Sequence, residues 1–303
     1  VRWEKHGLVW GPDGSAPWAR HSALQPTPLL LDGDTLRVYA GVRDADGRGS
    51  IAFVDVDPED PGRVVRVCER PALAPADAGS FARDGVVPAA VVRAGHELRL
   101  YYAGYTRRED VRFQVLCGLA TSDDGGESFR AHSGEPILPP TAEERLFRVI
   151  HSVREEHGRW RAWYGAGSEF RQGRAKTLPV YDIRHFESPD GIAWPDSGTV
   201  CIPVGSDEHR VGRPWVVAGD DGYEMYFGAG SERDPYRLAY ATSPDGVSWR
   251  RDDEALGLAP SAAGWDSEMA AYPAVVTAAD RTYLFYNGNA YGHDGFGYAV
   301  RTD

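Results

Sequence analysis

Asp84 and Glu268 are the two carboxylates whose positions suit proton transfer. Arg43, Arg148, Arg210 and Arg213 carry the fixed positive charge that holds carboxylate or phosphate groups. His21, His151, Tyr105, Tyr272, Asn287 and Asn289 add donors and acceptors, and Asp266 stands just before Glu268 in the segment GWDSEMAAYP. A region lined only for packing has no need of this mixture, because buried charge is costly unless it is paired. Plainer roles are open to several of these residues. Asp84 precedes Gly85 and could shape a turn. Asp266 or Glu268 could cap the short segment that holds them, and Glu268 is the one taken as reaching a site. His21 and His151 could be core hydrogen-bond donors, ligand contacts or metal ligands, although no metal-site spacing is present. There is no nucleophile elbow, no Gly-rich phosphate loop and no Cys/His pairing, so no cofactor is expected.

What must gather residues so far apart is a repeat. The pattern "Pro, apolar run, turn, apolar-Tyr-x-Gly" starts at Pro28, Pro88, Ser152, Pro214 and Pro273, 59 to 64 residues apart. Each copy reads as a β-hairpin, a short strand, a Gly- or Asp-containing turn and an alternating strand such as Leu36-Arg37-Val38-Tyr39. A second motif follows as ATSDDGGESF from Ala120, FESPDGIAW from Phe186 and ATSPDGVSW from Ala241, with a diverged version, FVDVDPEDPGRVVRV, from Phe53. It is a strand end, a turn that needs positive φ, and an aromatic residue that opens the next strand. Together the motifs make four antiparallel strands per repeat, the blade of a propeller. The last repeat has three strands, and Trp3 to Trp10 has the character of the missing fourth. The expected fold is all-β: a single five-bladed β-propeller over residues 1–303, its ring closed by the N-terminal strand. Its blades span about 20–72, 82–138, 146–203, 208–258 and 266–303, with the N-terminal strand at 1–12. An irregular β-sandwich accounts less well for the even period.

The first strand of each blade lines a propeller's central channel. Residues just before those strands, and those following each Tyr-x-Gly, therefore meet at one end of it. That places His21 and Gln25 with Arg43 on blade one, and Asp84 with Tyr105 on blade two. Blade three brings Arg148, His151, Ser168 and Glu169, blade four Arg210, Arg213, Ser231 and Glu232. Asp266, Glu268, Tyr272, Asn287, Asn289, Tyr291 and His293 come from blade five.

The formal net charge of -12 argues against nucleic acid, which is bound by neutralising phosphates. Cys68, Cys117 and Cys201 are odd in number and widely spaced, which implies no disulfide framework and favours a reducing, cytoplasmic setting. No apolar run approaches a membrane span, and no membrane partner is expected. The first residues lack a signal-peptide pattern, although a segment upstream of Val1 could have been removed. Oligomeric state is left open.

The hairpins followed by SPDG-x-x-W turns resemble the five-bladed propellers of glycoside hydrolases, the clan of arabinanases, xylosidases, invertases, levansucrases and mannoside phosphorylases. The segments HSALQPTPLLLDGDTLRVYAGVRDADGRGSIAFVDVD, DGVVP and GWDSEMAAYP with YNGNAYGHDGFGYAV are similar to propeller proteins of glycosyl-hydrolase type. The resemblance implies a small carbohydrate-like substrate and catalytic carboxylates supplied by first strands of different blades. The blade-one acid would fall near Gln25-Pro26, where this chain has none, and the comparable blade-four position is Arg213-Pro214. Asp84 corresponds loosely to the blade-two acid, and Glu268 stands in by geometry. Glycosidic cleavage places its two carboxyl groups ~5 Å apart for retention or ~6.5–9.5 Å apart for inversion. The expectation is an enzyme of glycoside-hydrolase type acting on a small, anionic glycoside or sugar derivative. The alternatives are a recruited biosynthetic enzyme on the same scaffold (a cyclase, lyase or phosphorylase-like protein) and a non-catalytic sugar-binding propeller.

Overall fold

The computed structural model describes residues 1–32, 35–219, 221–234 and 236–303. The first-repeat turn at Gly33-Asp34 and Asp220 in the fourth-repeat turn lie outside the described residues. Among the described residues no helix is long and apolar enough to cross a membrane.

The chain opens with β1 (Trp3–Trp10) and then folds into antiparallel groups of four strands. Group one is β2 (His21–Asp32), β3 (Thr35–Arg43), β4 (Gly49–Val56) and β5 (Val64–Val67). Group two is β6 (Gly85–Ala94), β7 (Glu97–Arg107), β8 (Phe113–Ser122) and β9 (Arg130–Ala131). Group three is β10 (Phe147–Glu156), β11 (Arg159–Gln172), β12 (Thr177–Ser188) and β13 (Thr199–Ile202). Group four is β14 (Glu208–Gly219), β15 (Gly222–Ser231), β16 (Arg237–Ser243) and β17 (Arg250–Arg251). Group five is β18 (Ala271–Ala278), β19 (Arg281–Asn287) and β20 (Phe296–Arg301), with β1 paired antiparallel to β20.

The period-2 alternation of the sequence feeds two cores from each strand. On β3, Leu36, Val38 and Ala40 face group five, while Tyr39 and Val42 face group two. On β15, Met225 and Phe227 pack with group three, and Tyr226 packs with group five. Both faces are therefore buried, and β4 has no exposed position. A one-sided amphipathic sheet is not what forms, since each group is sandwiched between two others. The large apolar cores lie between groups one and two, two and three, three and four, four and five, and five and one.

The SPDG-type turns have a second task. Gly191 and Gly246 take φ of +73° and +75°, the positive values the motif calls for. Asp190 accepts from the amides of Ile192 and Ala193, and Asp245 from those of Val247 and Ser248. The glycine carbonyl so presented accepts a hydrogen bond from an aromatic residue of the preceding group. Tyr101 Oη donates to Gly191 O at 2.8 Å, Trp163 Nε1 to Gly246 O at 2.7 Å and Tyr39 Oη to Gly126 O at 2.9 Å. Tyr283 of group five donates in the same way to Pro58 O of group one, at 2.9 Å.

Candidate functional site

The first strand of every group is bulged at a corresponding place, and β2 and β14 carry further register shifts. The ladder slips at Gln25-Pro26 in β2, Ala89 in β6, His151 in β10, Arg213-Pro214 in β14 and Tyr272-Pro273 in β18. In three of the five, a proline has no N–H to give to the ladder. A bulge turns the extra side chain out of the strand's alternation, a device common beside active sites. Gln25, Arg213 and Tyr272 take φ of +54°, +57° and +57°, left-handed values that cost free energy in a residue with a side chain. Among the described residues, six of the nine non-glycine residues with positive φ line one cavity: Ser22, Gln25, Arg213, Tyr272, Ala290 and Tyr291.

That cavity has a volume of about 690 Å³. Six cationic side chains line it, Arg43, Arg107, Arg112, Lys176, Arg210 and Arg213, against two carboxylates, Asp84 and Glu232. In a chain with 45 acidic and 33 basic residues, this is a marked local inversion of charge. Tyr105, Tyr181, Tyr236, Tyr272 and Tyr291 supply aromatic walls.

Arg213 reaches from group four to groups one and two. Its Nη2 donates to Pro26 O and Thr27 Oγ1 at 3.0 Å, and its Nη1 to Ala89 O. Among the described residues no carboxylate neutralises it, and burial pushes its guanidinium down to about 9. His151 stands near this charge. Burial first, and Arg213 second, hold its imidazolium well below the usual range, so the ring is neutral at physiological pH. The Arg210 guanidinium lies 4.1 Å from the Tyr236 ring centroid, and its Nη2 donates to Tyr291 Oη at 3.2 Å. Burial raises the Tyr236 and Tyr272 phenols well above their ordinary value. Asp84 sits at the turn into β6, and its Oδ2 accepts from Arg107 N at 2.7 Å. The turn requires Gly85, since a Cβ there would lie 2.6 Å from Gly49 N. Asp84 thus shapes the turn and also lines the cavity.

Of the residues singled out in the sequence, Gln25, Arg43, Asp84, Tyr105, His151, Arg210, Arg213, Ser231, Glu232, Tyr272 and Tyr291 meet in this cavity. The others lie elsewhere, each for a physical reason. Glu268 is exposed and outside the lining, its amide bonded to Asn289 Oδ1 at 2.7 Å. Asp266 is 1% exposed and pairs with Lys5 Nζ of β1 at 2.6 Å, with Tyr286 Oη at 2.9 Å. Arg148 is 1% exposed and consumed by Glu144, at 2.5 Å, and by the carbonyls of Pro139, Pro195 and Asp196. Asn287 ties Gln25 N to Ala23 O and Gly295 O, and Asn289 clamps the turn that carries Tyr291. His21 lies beside the cavity, its ring 5.0 Å from that of His293 and its Nδ1 2.8 Å from Ser22 Oγ. The sequence reading passed over Arg107, Arg112, Lys176, Tyr181 and Tyr236. Their signal was the hairpin between second and third strands, which carries its cations just beyond the Tyr-x-Gly tips.

No cluster of His, Cys, Asp or Glu suited to a metal ion occurs among the described residues. The arrangement can bind an anion, stack a sugar ring on tyrosine and pass protons through Asp84, Glu232, His151 or the phenols.

No family profile matches the chain. It is 33% identical over 303 residues to the uncharacterized protein Rv1502 of Mycobacterium tuberculosis (strain ATCC 25618 / H37Rv), covering 99% of both chains. It is likewise 33% identical to the uncharacterized protein MT1551 of strain CDC 1551 / Oshkosh, again with 99% of both chains covered. Among solved structures it is similar to BT0996 in its RGII complex (TM-score 0.74, 18% identity, 99% of this protein and 91% of that one). It is also similar to a structure from the GH130 family of mannoside phosphorylases, a family containing glycoside hydrolases that target β-1,2 mannosidic linkages in Candida mannan (TM-score 0.71, 15% identity, 99% and 93%). A third is the α-L-arabinofuranosidase from Lactobacillus brevis (TM-score 0.71, 13% identity, 92% and 90%). These identities speak to fold alone, which is all-β and of the propeller type.

Proposed function

Because the chain belongs to the family of the mycobacterial proteins Rv1502 and MT1551 and has a propeller-type fold shared with glycoside hydrolases and phosphorylases, we propose that it is a carbohydrate-directed enzyme acting on a small anionic sugar derivative. The observation that carries this is the cavity's charge: six cations against two carboxylates in an acidic chain. Of the nearby ion pairs, Asp84 takes Arg83, which is outside the lining, and Asp110 takes Arg108. Among the described residues, no ion pair involves Arg43, Arg107, Arg112, Lys176 or Arg213. Asp84, the carboxylate at the mouth on group two, is assigned to proton transfer.

The proposal includes a single five-bladed ring over residues 1–303, closed by β1. The five inter-group cores and the Tyr283 hydrogen bond from group five to group one support that closure. A cytoplasmic setting is supported by three buried free cysteines.

A second reading, biosynthetic chemistry on the same scaffold instead of glycoside hydrolysis, is favoured by one observation. The five bulged positions hold Gln25, Ala89, His151, Arg213 and Tyr272, and none is a carboxylate.

Thermal shift against matched sugars tests the proposal. Uronic acids and sugar phosphates at about a hundred times their Kd should stabilise the protein by about 2.7 kcal/mol. Their neutral parents should have far smaller effects, and the gain should shrink as salt rises. Equal stabilisation by neutral and anionic sugars would contradict it. Product analysis with the responding compound then separates hydrolysis from rearrangement or elimination.

A further inference from the structure

The cavity has two chemically different ends. At the inner end, Gln25, His151 and Arg213 are 6%, 8% and 2% exposed. Each carries a buried polar atom with no partner among the described residues: Gln25 Oε1, His151 Nδ1 and Arg213 Nε. A buried polar group left unpaired is costly. All three side chains line the cavity, where entering polar groups can meet what the protein leaves unpaired. The unpaired set is of mixed kind, since Gln25 Oε1 only accepts, Arg213 Nε only donates, and a neutral imidazole does one at each nitrogen. Hydroxyl groups, which donate and accept, meet it. An oxyanion, which only accepts, does not.

At the outer end Arg107, Arg112 and Lys176 are exposed and Arg43 is half-buried. They come from the ends of three hairpins, β3–β4, β7–β8 and β11–β12. One bidentate arginine satisfies a carboxylate. Four cations converging from three hairpins suit a group with more charge and more acceptors, and a phosphate monoester carries about -1.5 to -2 and three acceptor oxygens.

Building on the sugar-site reading above, we infer that the ligand is a phosphorylated sugar bound hydroxyl end first. Its ring hydroxyls meet Gln25, His151 and Arg213, and its phosphate sits at the mouth among Arg43, Arg107, Arg112 and Lys176. The tyrosine walls between the two ends hold the ring.

Calorimetric titration with D-glucose 6-phosphate, D-mannose 6-phosphate, D-glucuronate, D-glucose and inorganic phosphate separates the ends. In an Arg112→Ala/Lys176→Ala variant, binding of hexose phosphate and of inorganic phosphate should fall together, roughly tenfold or more, with a flatter salt dependence. In Gln25→Leu/His151→Phe, hexose phosphate binding should fall roughly tenfold or more while inorganic phosphate binding is unchanged. The near-isosteric Gln25→Glu variant serves the same purpose should the double variant fail to fold. Loss of inorganic phosphate binding in the inner variants, with retention in the mouth variant, would invert the orientation and overturn the inference. Glucuronate or glucose binding better than either hexose phosphate overturns the inference and leaves the sugar reading standing. Inorganic phosphate binding with no sugar bound, or no binding by any of the five, removes the sugar reading and this inference together.

Discussion

Deleting residues 1–11 should cost the protein its fold. β1 is the outer strand of group five and pairs along β20. Trp3, 9% exposed, packs edge-on against Tyr226 of group four with ring centroids 5.9 Å apart. Lys5 is the cation beside Asp266, which is 1% exposed. Losing one partner of a buried pair costs about 3–5 kcal/mol, and re-exposing surface that a tryptophan of this kind covers adds about 1.5–3 kcal/mol. Those two losses alone are comparable to the ~5–15 kcal/mol that holds a domain together. The expected result is a chain that is insoluble or melts far below wild type. Lys5→Met leaves β1 in place and isolates the Asp266 contribution, and it should melt measurably lower. A truncated protein with an unchanged melting temperature would show that β1 does not close the ring.

Replacing Asp84 by Asn should cut turnover of the anionic sugar substrate by about 10²–10⁴-fold, the usual contribution of a positioned acid or base. Asparagine keeps an oxygen to accept from Arg107 N, the 2.7 Å contact that ties Asp84 to the end of β7. The turn and the mouth should therefore survive, with KM and melting temperature little changed. The loss belongs to kcat, because the substitution removes a proton-transfer group and leaves the binding cations in place. Full turnover in Asp84→Asn would move proton transfer to Glu232, the other carboxylate of the cavity, to His151 or to a phenol, since Glu268 lies outside the cavity.

The repeat was legible because it is written in residues with backbone consequences. Proline marks the bulged first strands, and Asp-Gly marks turns with positive φ. The same marks led to Arg213 and Tyr272, each directly before its proline. What stayed hidden depended on partners distant in sequence. Arg148 looked like a ligand contact although its partner Glu144 is only four residues away, because nothing local announces that Tyr164 and Arg184 close on the same buried carboxylate. Asp266 finds its partner 261 residues away, in a strand at the other end of the chain. Asn287 and Asn289 stand beside the cavity but spend their amides on backbone, as short polar side chains near turns commonly do. The mouth cations Arg112 and Lys176 sit on hairpin ends, where charge ordinarily signals only solvent exposure. Their convergence appears once three hairpins are placed side by side.

The central claim is that the cavity receives an anionic sugar derivative. A crystal structure of the protein with a bound hexose phosphate tests it most directly. The account expects the ligand inside the cavity, its anionic group within hydrogen-bond reach of the mouth cations and its ring against the tyrosine walls near Asp84. A ligand seated elsewhere, or an empty cavity at ligand concentrations that saturate binding in solution, would contradict it.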